Sequence, residues 1–236
     1  MKYGQKNKIQ FRIKYFKIGM KVSIKIKKED LKPQLGDLGN NILYKLCKDY
    51  PDHKDPDVIV SKVWLIGRAY AAAIERRKNR TDINDDFYRK KVVTAFKKSK
   101  IDNKLKNIKK YKEINQNNIS KILKVHKYLV DEIKKITGLE KRSLVSKYLH
   151  FHLPKLFFIY DSRAVRALKK ISKPLNKNEY RSKINNSSVD EEYAGFFYRA
   201  FVAKNDKEKI FNKKISTREF DNILINIANK NLKTNK

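Results

Sequence analysis

Hydrophobic positions along this chain change period once, near residue 30. Before it, Ile9, Phe11 and Ile13, then Val22, Ile24 and Ile26, recur at every second residue around Gly19. Period two predicts a hairpin of half-buried strands over residues 5–28. The same stretch is basic, so an arm that orders on nucleic acid is the rival reading. After Pro33, Gly36 and Gly39 the period becomes helical, with a helix expected over about 40–49 and a turn-rich linker over 50–57, YPDHKDPD. The strongest periodicity follows, from Val58 to about Asn79. There Val60, Val63, Trp64, Gly67, Ala71 and Ile74 fall on one stripe, and Gly67, Ala69, Ala71, Ala72 and Ala73 are small enough to admit a neighbouring helix.

Further helices are expected over 85–98 and 118–135, the latter ending at Thr137-Gly138, where Gly138 suits a left-handed C-cap. Residues 141–153 carry another helix, stopped by Pro154. Residues 169–188 read as a basic loop, 193–203 as an aromatic-rich helix. Ser216 and Glu219 form a capping-box pattern before a last helix to about Ala228, with a frayed tail over 229–236. No internal repeat or domain boundary stands out. The expectation is a mainly α, compact multi-helix domain spanning 1–236, with a helical core over 58–228 and a strand hairpin or basic arm within 1–30.

Charge narrows the class of partner. The 236 residues include 58 Lys+Arg against 25 Asp+Glu, a formal charge of +33, with 40% apolar residues to build a core. Such a surplus repels itself in a compact fold unless a polyanion offsets it, so nucleic acid, double-stranded DNA first, is the expected partner of a monomer. Eight lysines between Lys97 and Lys112 are either a phosphate-binding run or one solvated helix face. The single cysteine, Cys47, excludes an intrachain disulfide and a Cys-ligated cluster and fits a reducing compartment. No apolar run is long enough to span a membrane, so the expected location is cytoplasmic. His53, His126, His150 and His152 have no chelating spacing, since the two histidines of HFH point to different helix faces. Neither a metal nor another cofactor is expected.

Candidate chemistry concentrates in residues 141–166, KRSLVSKYLHFHLPKLFFIYDSRAVR. In its helix Leu144, Val145, Tyr148, Leu149 and His152 share the core side, while Ser143, Lys147 and His150 share a polar face. A buried aromatic connection then delivers Asp161, followed by Arg163 and Arg166. Asp161 is either the N-cap of the next helix, a preorganised catalytic acid, or both.

The order Gly138, Lys141-Arg142, Ser143, an apolar helix, Pro154, an aromatic run and Asp161 resembles the core of the helix-hairpin-helix DNA glycosylases, over about 30 residues. Gly138-Leu139-Glu140 stands where that family usually has a Gly-x-Gly turn. The resemblance implies an all-α enzyme that flips a base from the duplex, with Asp161 as its aspartate. It also implies a lysine nucleophile at the helix start in bifunctional members. Arg142 holds that position here and cannot act as an amine nucleophile, which favours a monofunctional enzyme that leaves an abasic site.

On that reading Asp161 stabilises charge on the sugar, and Lys147 and His150 assist the leaving group or bind phosphate. Trp64, Tyr70, Tyr148 and Phe151 are candidates to sandwich the flipped base. Lys141, Arg142, Arg163, Arg166, Arg68, Arg76 and Arg77 are candidates for DNA contact. Two alternatives remain: a non-enzymatic DNA- or RNA-binding protein, and a metal-dependent nuclease using Asp82, Asp85 and Asp86 or Asp190, Glu191 and Glu192.

Overall fold

Capping residues and apolar spacing set the element order seen in the computed structural model, which describes residues 26–33, 37–76, 84–184 and 188–233. The hairpin or arm expected over 5–28 lies outside these residues except at its end, where Lys28–Leu31 forms one turn of 3₁₀ helix. Then follow α1 (Asp37–Asp49) and α2 (Pro56–Ala69). Next is α3, continuous over 84–98 with a π-helical middle at Phe87–Val92, then α4 (Ile101–Lys109) and α5 (Ile119–Thr137). The C-terminal half holds α6 (Arg142–His152), α7 (Ser162–Ile171), α8 (Lys177–Ile184), α9 (Glu191–Phe211) and α10 (Thr217–Lys233). No strand occurs among the described residues, and the domain is all-α.

α6 is the centre of the molecule. It packs against α1, α2 and α5, and residues 144–151 are buried without interruption, the signature of a core helix rather than a surface one. On its C-terminal side α7 lies against α9 and α10. Between them runs the connection Leu156, Phe157, Phe158 and Ile159, each almost fully buried, with Phe158 edge-on to Phe197 and Phe220. Burying four such side chains contributes roughly 1.5–3 kcal/mol each.

Several elements match the sequence expectation. Gly138 closes α5 at φ 70°, its N–H donating to Lys134 O. Ser216 and Glu219 exchange the reciprocal bonds of a capping box. Of the lysine run, Lys104, Lys106 and Lys109 lie on α4, outside the side on which Ile101, Leu105 and Ile108 turn inward together.

Other elements differ, each for a packing reason. α2 stops at Ala69 instead of running to Asn79, because the chain reverses over Ala71 (φ 50°) and Ala72 N–H bonds back to Gly67 O. A Cβ on Gly67 would meet Ala73 Cα at 3.1 Å, so the small residues admit the chain's own return, not a second helix. Trp64 is not in the core. The inward side of α2 is Ile59, Val63 and Ile66, and Trp64 is 44% exposed beneath the Arg68 guanidinium. Within the expected loop over 169–188, α8 forms because Tyr180 and Ile184 anchor it one turn apart. The last helix continues past Ala228 to Lys233.

Candidate active site

A buried backbone that is neither helix nor strand must find partners for its polar groups elsewhere. The connection from α6 to α7 finds them in side chains. His150 Nδ1–H donates to Phe157 O (2.8 Å), Tyr193 Oη–H to Phe158 O (3.0 Å) and Lys147 Nζ to Tyr160 O (3.1 Å). Ser146 Oγ accepts from Tyr160 N–H (3.0 Å), and Thr217 Oγ1 donates to Pro154 O. The polar face of α6 is therefore buried, and it clamps the segment that ends in Asp161.

Asp161 leaves this segment as the N-cap of α7, with φ −155° and its Oδ1 accepting from Ala164 N–H at 2.9 Å. Its Oδ2 lies 3.8 Å from Lys147 Nζ. Lys147 is 1% exposed and also donates to Ser143 Oγ at 2.7 Å, so three acceptors surround its ammonium. Burial lowers the Lys147 pKa, while Asp161 and Asp221 act in the opposite direction. The cap expected of Asp161 is present, and it fixes the carboxylate in place beside Lys147.

Asp161 opens into a cavity of about 520 Å³ whose wall includes Tyr70, Arg163, Arg218 and Asp221. That volume is within the range of roughly 300–1,000 Å³ usual for small-molecule sites. Tyr70 Oη–H donates to Asn40 Oδ1 (2.6 Å), its ring packs edge-on against Phe151, and burial pushes its hydroxyl up to about 12. From α10, Arg218 Nη1 donates to Asp221 Oδ2 at 2.8 Å. Asp221 is 5% exposed, and burial raises its carboxyl to about 6, helped by the neighbouring Asp161 and opposed chiefly by Arg218. Its Oδ1 and the Arg218 Nε have no hydrogen-bond partner among the described residues. Sequence reasoning missed both residues. The available signal was Asp221 and Asn222 set between the apolar Phe220 and Ile223.

The other candidates divide. His150 is fully buried with both nitrogens occupied, because Tyr44 Oη–H donates to Nε2 at 2.6 Å. Burial lowers its pKa to about 4, so it is a neutral clamp on Phe157 O and not an acid at the cavity. Tyr148 belongs to the core, bonded to His53 Nε2 (2.5 Å), whose Nδ1 in turn meets the Asp102 carboxylate. Phe151 is buried behind Tyr70, and Trp64 is on the outer surface, which leaves Tyr70 alone of the four base-pocket candidates on the cavity wall.

Among the basic candidates, Arg163 sits on the cavity rim and Arg166 is exposed on the same helix. Lys141, Arg142 and Arg76 line a neighbouring, more open cavity of about 850 Å³, with Lys141 Nζ donating to Arg76 O. Arg142 is committed internally to Asp190, Glu192 and Glu140, so it secures the start of α6 rather than offering its charge outward. Arg68 is exposed and paired with Glu75. Arg77 lies outside the described residues. Asp190 caps α9 besides holding Arg142, and no group of three or more His, Cys, Asp or Glu among the described residues is placed to hold a metal ion.

No helix among the described residues is long and apolar enough to cross a membrane. No protein-family model, curated protein or solved structure matches this chain.

Proposed function

We propose that this protein is a monofunctional DNA N-glycosylase, which draws a damaged or modified base out of the duplex and hydrolyses its bond to the sugar. The observation that carries this reading is the placement of Asp161. Its carboxylate is held by a backbone N–H and a buried ammonium at the mouth of a cavity of small-molecule size, beside Arg163 on a strongly basic protein. Cleavage of an N-glycosidic bond builds positive charge at C1′ of the sugar. A fixed carboxylate stabilises that charge without reorganising, an effect worth on the order of 10²–10³-fold in rate. Tyr70 supplies a ring against which the extruded base stacks.

The test is the appearance of alkali-labile sites in duplex DNA carrying ordinary, damaged and phage-type modified bases. Strand breaks after alkali at one class of base support the proposal. Salt-dependent binding with no alkali-labile site on any substrate makes the protein a DNA-binding protein without this chemistry.

One observation favours a second reading, glycosylase with lyase activity: Lys147 is the amine that the fold places beside Asp161. Two hydrogen-bond acceptors and the Asp161 carboxylate favour its ammonium form, while burial, the larger influence, lowers its pKa towards the free amine that attack requires. Borohydride added during turnover separates the two. A covalent adduct with DNA that disappears in Lys147→Arg establishes the lyase, and its absence leaves the hydrolytic route.

A further inference from the structure

The C-terminal end of α6 helps to enclose a second cavity, of about 710 Å³, which the proposed chemistry leaves unused. It lies between α1 and α4 and is also of small-molecule size. Phe151 separates it from the Asp161 cavity, its ring centroid 4.8 Å from that of Tyr44 on this side and 5.5 Å from that of Tyr70 on the other. Much of the wall is apolar. Cys47, Leu105 and Phe151 are almost fully buried at its floor, and half-buried Tyr44 and Leu153 rise from it. The Tyr44 hydroxyl is taken by His150 Nε2 at 2.6 Å, so Tyr44 contributes a ring to the cavity rather than a polar group.

The rim is cationic. Lys48 on α1, Lys54 in the following loop, and Lys106 and Lys109 on α4 all line it and are exposed. Two acids share the wall, and both are already engaged. Asp52 lies 3.3 Å from the Lys54 ammonium, while Asp102 accepts from the His53 backbone N–H (3.1 Å) and meets the His53 Nδ1. Lys48, Lys106 and Lys109 have no ion-pair partner among the described residues. A further cation stands behind the wall. Lys62 is fully buried, and its ammonium donates to Asp52 O at 2.8 Å with no carboxylate in ion-pair contact among the described residues. Burial lowers its pKa, and the groups that act the other way, Cys47, Asp102 and Asp52, all line this cavity. A buried ammonium without a paired carboxylate is costly, and negative charge placed in the cavity offsets that cost.

We propose that this cavity binds a small amphipathic anion, a compact apolar body bearing one carboxylate or phosphate monoester. The body packs against Tyr44, Leu105 and Leu153, and the anionic head lies among Lys48, Lys106 and Lys109. The head takes that side because Asp102, one turn earlier on α4 than Lys106, repels it from the other. A phosphate of the DNA backbone would leave the apolar wall in water. A neutral apolar molecule would leave the three rim lysines and Lys62 without counter-charge. A ligand with both halves satisfies both. The site is independent of the glycosylase reading, and neither stands or falls with the other.

The experiment is isothermal titration calorimetry of the full chain at physiological salt with naphthoate and with naphthyl phosphate. Naphthol supplies the ring without the charge, and acetate and inorganic phosphate supply the charge without the ring. One-to-one binding of at least one naphthyl anion is expected, with a dissociation constant on the order of 10⁻⁴ M. Naphthol should bind roughly tenfold more weakly or worse, and acetate and inorganic phosphate should not saturate the protein. The tighter of the two naphthyl anions names the head group. Lys106→Gln/Lys109→Gln should weaken that binding by roughly tenfold or more. Lys169→Gln/Lys170→Gln, which removes the same charge from the exposed side of α7, should leave it within about twofold.

Three results overturn the proposal: binding of naphthol or of the ringless anions as tight as that of the naphthyl anions, equal weakening by the two double variants, or no saturable binding of either naphthyl anion. All four substituted lysines are exposed, so loss of folding does not confuse the comparison.

Discussion

The pair Lys147–Asp161 is the joint on which the site depends, and it makes a prediction about stability. At 3.8 Å and an effective dielectric near 20, the bare attraction is about 4 kcal/mol. Desolvation offsets much of it, so the coupling expected from a double-mutant cycle is on the order of 1–2 kcal/mol. The partners are not equally buried. Lys147 is 1% exposed, whereas the Asp161 side chain retains 20%. Asp161→Asn keeps a good N-cap for α7 but leaves a buried ammonium with two neutral acceptors, a cost of roughly 2–3 kcal/mol that deprotonation of the lysine limits. Lys147→Met removes the buried charge and Asp161 turns to water, but Tyr160 O loses its lysine donor, so about 1–3 kcal/mol is expected. Urea unfolding of both single variants and the double variant at pH 7 measures the three values. Coupling below about 0.5 kcal/mol refutes the claim that a buried ammonium fixes the acid.

Two arginines offer a paired test of charge placement. Arg163→Gln should reduce the slope of log K against log salt by about one, while Arg142→Gln should leave the slope unchanged. Because Arg142 holds the buried Asp190, its loss should cost about 2–3 kcal/mol, or roughly 5–10 °C in melting temperature. The pH dependence of stability has two opposed contributions. His150, held near 4 when folded and near 6.5 when unfolded, contributes stability above about pH 6.5 that is lost as pH falls towards 4, on the order of 3 kcal/mol. Asp221, raised to about 6, works the other way, since the folded state binds its proton first and gains stability as pH falls from about 6 to 4. Unfolding free energies from pH 7 to 4 should therefore fall more steeply in Asp221→Asn and less steeply in His150→Gln than in the unaltered protein.

Local chemistry was legible in the sequence, and long-range assembly was not. Asp161, Gly138 and the Ser216–Glu219 box act through neighbours within three or four residues, so a single pass along the chain finds them. Of the polar face expected on α6, Lys147 and His150 serve a partner segment 7 to 13 residues away, Ser143 bonds only to Lys147, and Ser146 was missed. Ser146, Lys147 and His150 serve the carbonyls and amide of that segment, and only Lys147 also reaches the acid. α2 carried a continuous helical period, yet the chain reversed at Ala71 because Gly67 permits the close return. Arg218 and Asp221 come from a helix more than fifty residues beyond Asp161, and no local pattern announces that it closes the same cavity.

The most direct test of the account is base release by Asp161→Asn measured alongside its affinity for the same duplex. Asparagine preserves the cap, the shape and the surrounding positive surface while removing the carboxylate charge. The account predicts a fall in release of on the order of 10²–10³-fold with binding nearly unchanged. Release at the unaltered rate would show that Asp161 only starts a helix.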